Sequence, residues 1–347
     1  MYPRPVEPLK SRVAFAAAHV VPSDDGIDWE ATLAYRRYLW SYGLGVAEAM
    51  DTSQRGMGFS WEGARELIAR SLANAEGLIA CGAGTDQIPD DRAATLDEII
   101  AAYEEQCEWI EGRGGRVIMM ASRALARVAK SPDDYVKVYS RILSQLRRPA
   151  ILHWLGDMFD PQLAGYWGSA NLDCAMNTCL AVIHEHAARI DGVKISLLDA
   201  NREIAMRAKL PPGVRMYTGD DFHYDRLIRG DGGRHSDALL GIFDAIAPAA
   251  SAAIQALDTG RVDDFDRILA PTIPLSRLIF EPPTYLYKTG IVFLAWLNGH
   301  QEKFRMVGGL ETARSFAHLS KLVDLAEAAR VLEDPEAARA KLRTLAQ

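Results

Sequence analysis

Long hydrophobic runs are missing from this sequence: each apolar stretch breaks well before the roughly 18 consecutive residues that a membrane-spanning helix needs. Cysteine is scarce, at four in 347 residues. Cys81, Cys107, Cys174 and Cys179 make no CxxC pair. They read as small buried hydrophobes in a reducing compartment, not as a disulfide framework or a zinc ribbon. Blocks of basic residues are also missing. The formal charge is −7 and the lysines and arginines are scattered, which excludes the positive patch that attracts nucleic acid. The opening stretch MYPRPVEPLKSR lacks the apolar segment of a secretory signal. The expected setting is the cytoplasm, with neither membrane nor nucleic acid as a partner.

What is present is an ordinary globular balance, 49% hydrophobic and 24% charged, enough to bury a core without staples. Short apolar runs at 13–20, 45–50, 77–82, 116–121, 149–154, 192–196 and 214–218, and a weaker eighth at 230–236, alternate with longer segments of helical period. The runs are apolar on both faces, as strands of a parallel sheet are when helices cover both sides. Helices are expected at 29–42, 60–74, 96–113, 132–145 and 172–189, with Ser60 as an N-cap. Eight strand–helix repeats predict an α/β fold closed as a (β/α)8 TIM barrel. The barrel is expected over residues 1–250. A C-terminal helical extension over 251–347, broken by Pro271, Pro274, Pro282 and Pro283, is expected to pack on it as one structural unit.

In such a barrel the chemistry lies at the carboxyl ends of the strands. That rule selects His19, then Asp51, Thr52 and Ser53, then Ser122 and Arg123. Further along it selects His153, Trp154 and Asp157, Lys194 and Ser196, Asp220 and Asp221, and His235 and Ser236. Lys194 stands apart, because it sits between Val193 and Ile195 in a short strand. An ammonium there is costly to bury unpaired. Burial lowers its pKa and frees the amine to attack a carbonyl. A strand-end lysine in a structural ion pair is the competing reading.

Several segments, in order, resemble the dihydrodipicolinate synthase and N-acetylneuraminate lyase family. They are Asp25-Gly-Ile-Asp28, Asp51-Thr-Ser-Gln-Arg55 followed by Phe59-Ser60, Asp191-Gly-Val-Lys194, Tyr217-Thr-Gly-Asp-Asp221, and the late Pro283 and Lys288. The resemblance covers residues 16–309 and implies a class I aldolase or lyase. Lys194 would form a Schiff base with a ketone and use the protonated imine as its electron sink, with no other cofactor. His153 falls where the family carries a tyrosine that shuttles protons, and an imidazole suits that task near neutral pH. A hydrogen-bonded structural histidine is the alternative. The resemblance also implies a homo-oligomer, a dimer or tetramer.

Departures from the family bear on the substrate. The loop after strand two keeps the hydroxyls of Thr52 and Ser53 but carries Asp51, Gln54 and Arg55 in place of two glycines and a glutamate. Asp51 would repel a substrate carboxylate, and Arg55 would compensate. Added Asp, His and Trp side chains favour a polyhydroxylated keto-sugar or sugar acid over a simple keto acid, with Trp154, Asp220, Asp221, His235 and Ser236 joining the loop in binding it. Two other functions remain open on the same barrel. One is a metal-dependent sugar isomerase or epimerase holding its ion through His153, Asp221 and His235. The other is an inactive sugar-binding homologue.

Overall fold

The computed structural model describes residues 2–346. Eight parallel strands close into a barrel: β1 Ala14–Ala17, β2 Gly45–Glu48, β3 Ile79–Ala83, β4 Arg116–Met119, β5 Ala150–Leu155, β6 Ile190–Ser196, β7 Arg215–Thr218 and β8 Asp237–Leu240. Each pairs with its sequence neighbours, and β8 closes on β1 through Ala14↔Ala238 and Phe15↔Leu239. The architecture is the expected (β/α)8 barrel. Among the described residues no helix is long and apolar enough to cross a membrane.

Local chemistry sets the helix starts. Asp28 accepts from the Ala31 N–H ahead of the helix Trp29–Ser41. Ser60 caps Trp61–Ala73 by accepting from Gly63. Thr95 and Glu98 form a reciprocal capping box on Leu96–Gly112. Pro132 opens Pro132–Gln145, where its missing N–H has no intrahelical partner to lose. Each cap contributes about 1 kcal/mol and fixes where a strand's following loop ends.

Side chains alternate across the sheet. One set of strand residues packs outward under the helices, while Phe15, Ala17, Ala47, Ala80, Ile118, Ile151, Tyr217 and Leu239 fill the barrel. Glycines make room for the two interior aromatic rings. A Cβ on Gly45 would lie 2.5 Å from the Phe15 ring, and one on Gly192 would lie 2.6 Å from the Tyr217 ring. The floor of the barrel is therefore closed, and only its carboxyl end is open to chemistry.

The eighth strand differs from expectation. It is Asp237–Leu240, and the stretch 230–236 is a turn bridged between Asp231 and Arg234 that leads into it. The run Asp-Ala-Leu-Leu flows directly into the helices Ile242–Ala245 and Ala247–Asp258, so periodicity alone merges strand and helix. The last barrel helix also straddles the expected boundary at 250. Beyond it Val262–Leu269, Thr272–Ile279, Tyr287–Leu297, Phe316–Ala328 and Pro335–Thr344 form the extension. This extension reaches over the barrel mouth: the Gly308 N–H donates to Gln54 Oε1 at 2.9 Å, and a Cβ on Gly58 would meet Gly308 Cα at 2.6 Å.

Candidate active site

Val193 and Ile195 belong to the outer core, so Lys194 between them points into the barrel. It pairs with His153 on β5 and Tyr217 on β7. Its side chain is 6% exposed, and its Nζ makes no hydrogen bond and no ion pair within 4 Å among the described residues. Burial pushes the amine below the ordinary lysine range, against the pull of Asp51 and then Asp221. The structural ion pair is therefore not what holds this lysine.

The amine borders a small chamber of about 10 Å³, lined also by Asp51, Thr52, Ser196, Asp221 and Tyr287. That is room for about one water. Asp51, Leu155 and Phe159 also line a second, larger cavity of about 210 Å³, which contains His153, Arg123, Asp160 and Lys288. The neck between the two is aromatic. Phe159 meets Phe280 and Tyr287 edge-on at 6.2 and 6.0 Å, and Tyr287 stacks on Phe280 at 4.4 Å.

The loop after β2 is a 3-10 turn, Asp51–Ser53, ended by Gln54 at φ 68°. It places the Thr52 hydroxyl 2.9 Å from the Tyr287 hydroxyl. Ser53, expected to bind substrate, instead turns its hydroxyl onto the Met50 carbonyl at 2.6 Å and lines neither cavity. Arg55 borders the larger cavity, but its five N–H groups are all committed: to Asp86 twice, to Gln106 and to the carbonyls of Ala49 and Gly82. None is left for a substrate carboxylate.

On β5, His153 faces inward with Nε2 3.4 Å from Ser196 Oγ and Nδ1 without a partner. Burial, and then the charge of Lys194, push its pKa well below the usual imidazole range, so the ring is neutral at physiological pH. Trp154, one residue on, points the other way into the outer core. It lines neither cavity, so strand alternation turns it away from where it was expected to meet a sugar ring.

After β7, Asp220 caps the backbone N–H groups of Phe222 and His223 and pairs with the His223 ring at 3.0 Å. It lines neither cavity. Asp221 does face the amine. One of its oxygens accepts from the Ile242 N–H at 3.0 Å, and burial raises its pKa to about 7 against that bond and Lys194.

His235 and Ser236 precede β8, so they lie at the amino end of the barrel, opposite the amine. Ser236 donates to Glu203 at 2.6 Å and receives Arg207 at 3.1 Å. The ligand set His153, Asp221 and His235 is thus not assembled, and among the described residues no three His, Cys, Asp or Glu side chains are grouped to hold a metal ion. His19 is likewise structural: it pairs with Asp244 at 2.9 Å, next to the fully buried Arg36–Glu48 pair at 2.8 Å. Of the cysteines, three are buried and Cys174 is exposed.

Glu203 carries a pH prediction of its own. Burial raises it from 4.5 to about 8 against its bonds to Ser236 and Thr218. The folded carboxyl thus keeps a proton that the unfolded chain releases near 4.5. This stabilisation is full below that pH and is lost as the pH rises through about 8. Glu203→Gln keeps an oxygen for Ser236 and removes the titration. Melting curves from pH 5 to 9 are expected to show the variant gaining on the wild type as pH rises; parallel curves would refute the shift.

Two residues at the mouth come from the extension: Tyr287, and Lys288, whose Nζ donates to the Tyr285 carbonyl at 3.2 Å. Burial lowers Lys288 to about 8, with Asp51 opposing. Tyr287 carried no signal in the sequence beyond its place beside Lys288.

The family model described as Protein of unknown function (DUF993) matches residues 1–347. Among curated proteins, no sequence matches the chain. Solved structures with the same fold include dihydrodipicolinate synthase from Aquifex aeolicus, at 14% identity and TM-score 0.70, covering 93% of this chain and 100% of that one. A prophage protein of the dihydrodipicolinic acid synthase family from E. coli K12, in complex with pyruvate, has 12% identity and TM-score 0.71, covering 92% and 99%. The 4-hydroxy-tetrahydrodipicolinate synthase from Methylacidiphilum fumariolicum SolV has 16% identity and TM-score 0.70, covering 97% and 99%.

Proposed function

We propose that this chain, which belongs to the family described as Protein of unknown function (DUF993), is a class I, Schiff-base aldolase or lyase. The observation that carries this reading is the Lys194 amine: inward-facing, buried, without an ion-pair partner among the described residues, and bordering a chamber. An amine so placed is uncharged often enough to add to a carbonyl. The resulting iminium draws electrons from the adjacent carbon. A C–C bond is then made or cleaved, or water eliminated, with no further cofactor.

The substrate is a keto acid or keto-sugar derivative. Its keto carbon sits at the amine and its remainder in the larger cavity. The lining there, with Asp51, Asp160, Arg123, Lys288 and His153, offers donors and acceptors of both signs. That favours hydroxyl groups over a second carboxylate. The water-sized chamber requires Phe159 or Tyr287 to yield as the substrate enters. The implied homo-oligomer belongs to the same proposal and is read by sedimentation.

The test is borohydride reduction in the presence of a panel of 2-keto acids and keto-sugars, read by intact mass. One reduced adduct per chain is expected with at least one member. No adduct with any member contradicts the reading.

A further inference from the structure

The chamber around Lys194 contains a second group able to hold a proton. Gly219 brings the turn after β7 against the lysine: a Cβ there would lie 2.8 Å from Lys194 Cε. Asp221 follows two residues later and is fixed at two points. Its backbone carbonyl receives Ser276 Oγ–H at 2.5 Å, and one carboxylate oxygen receives the Ile242 N–H at 3.0 Å. The other oxygen has no hydrogen-bond partner among the described residues, and Asp221 lines the chamber together with Lys194.

The other acid–base groups are placed differently. Asp220 is spent on His223 and two backbone N–H groups. His153 lines the larger cavity and is held neutral. Asp51 stands at the neck, shared by both spaces and only half-buried.

We propose that Asp221 is the proton carrier for Lys194. This rests on the reading of that lysine as the nucleophile. The carboxylate takes one proton from the ammonium, leaving a neutral amine whose lone pair forms the C–N bond as the carbonyl π bond breaks. Nitrogen loses its proton to the new alkoxide, giving the neutral carbinolamine. The Asp221 carboxyl then returns its proton to the carbinolamine hydroxyl. The C–O bond breaks, water leaves, and iminium and carboxylate remain, so protons and charge balance. The same carboxylate is placed to accept a proton from the carbon beside the iminium, which gives the enamine.

The electrostatics agree with this placement. Burial raises the carboxyl to about 7 and lowers the amine, so the two groups titrate as a pair. The titratable groups on the elements packed around Asp221 include Lys194 on β6, Asp51 on the loop after β2, Asp220 beside it, Tyr224 on the helix Tyr224–Arg229, Tyr287 from the extension, and Asp244 on the helix Ile242–Ala245, which is paired with His19. The reactive form of the pair holds one proton. The rate of adduct formation therefore rises and then falls with pH.

The experiment measures the rate of borohydride-trapped adduct formation across pH 5 to 10 for the wild type and Asp221→Asn, with the fastest-trapped member of the 2-keto acid and keto-sugar panel, pyruvate included, as probe. The variant keeps an oxygen for the Ile242 N–H. It is expected to react roughly 100-fold more slowly and to lose the decline at high pH, because only the amine then titrates. Equal rates, or a variant profile that still falls at high pH, overturn the proposal. The wild-type profile tests it even if the variant does not fold: a rate that only rises with pH contradicts it. Wild type that is trapped on Lys194 as fast as the variant sinks the role of Asp221 alone, while wild type that no member of the 2-keto acid and keto-sugar panel traps sinks the Schiff-base reading as well.

Discussion

Lys194→Met is expected to abolish every covalent adduct and, at the same time, to raise the stability of the fold. The two effects have one cause. The lysine carries a polar head into a buried chamber and makes no hydrogen bond or ion pair there among the described residues. Burying such a group uncompensated costs about 1–3 kcal/mol by protein mutational measures. Methionine fills a similar volume without that penalty, so the unfolding free energy read by chemical denaturation should rise by an amount in this range. Loss of adduct with a fall in stability would mean that the amine is a structural partner after all.

Gly219→Ala is expected to lower stability by about 1–3 kcal/mol and to suppress adduct formation together. A Cβ at this position would lie 2.2 Å from Ser196 Oγ, 2.7 Å from the Ile195 carbonyl oxygen and 2.8 Å from Lys194 Cε. Ser196 is able to rotate, but the carbonyl of β6 is fixed by the sheet, so β6 and β7 must separate or the lysine must leave its place. Gly112 is the control: a Cβ there meets nothing within 4 Å and its φ is ordinary. Gly112→Ala should therefore gain about 0.4–1 kcal/mol by restricting the unfolded chain. Chemical denaturation of the two variants reads both signs, and a neutral Gly219→Ala would show that the β6–β7 edge is looser than described.

The parts of this molecule that were legible in its sequence are those set by short-range pattern. Seven strands fall within the apolar runs or at their edges, and Ser60 caps its helix as expected. The eighth strand was not legible, because Asp237–Leu240 runs without a break into helix and a glycine-rich turn lies just before it. His235 and Ser236 were carried to the wrong end of the barrel by that displacement of a few residues. Trp154 was recoverable: if His153 and Lys194 face inward, alternation sends Trp154 outward. Arg55 was not, since its partners Asp86 and Gln106 lie 31 and 51 residues away. Tyr287 was hidden for the same reason, in a helix buried along its whole length, and only the folding of the extension over the mouth places its hydroxyl on Thr52. Asp221 is anchored in the same non-local way, by the Ile242 N–H 21 residues on.

Two buried lysines face the mouth, and only one of them is the nucleophile in this account. Lys194 borders the inner chamber, while Lys288 lies in the roomier cavity with its pKa brought down to about 8. Peptide mapping of the borohydride-reduced protein separates them. The predicted result is a single modified peptide bearing Lys194, absent from Lys194→Met and retained in Lys288→Met. Modification of Lys288 with Lys194 untouched would contradict the assignment.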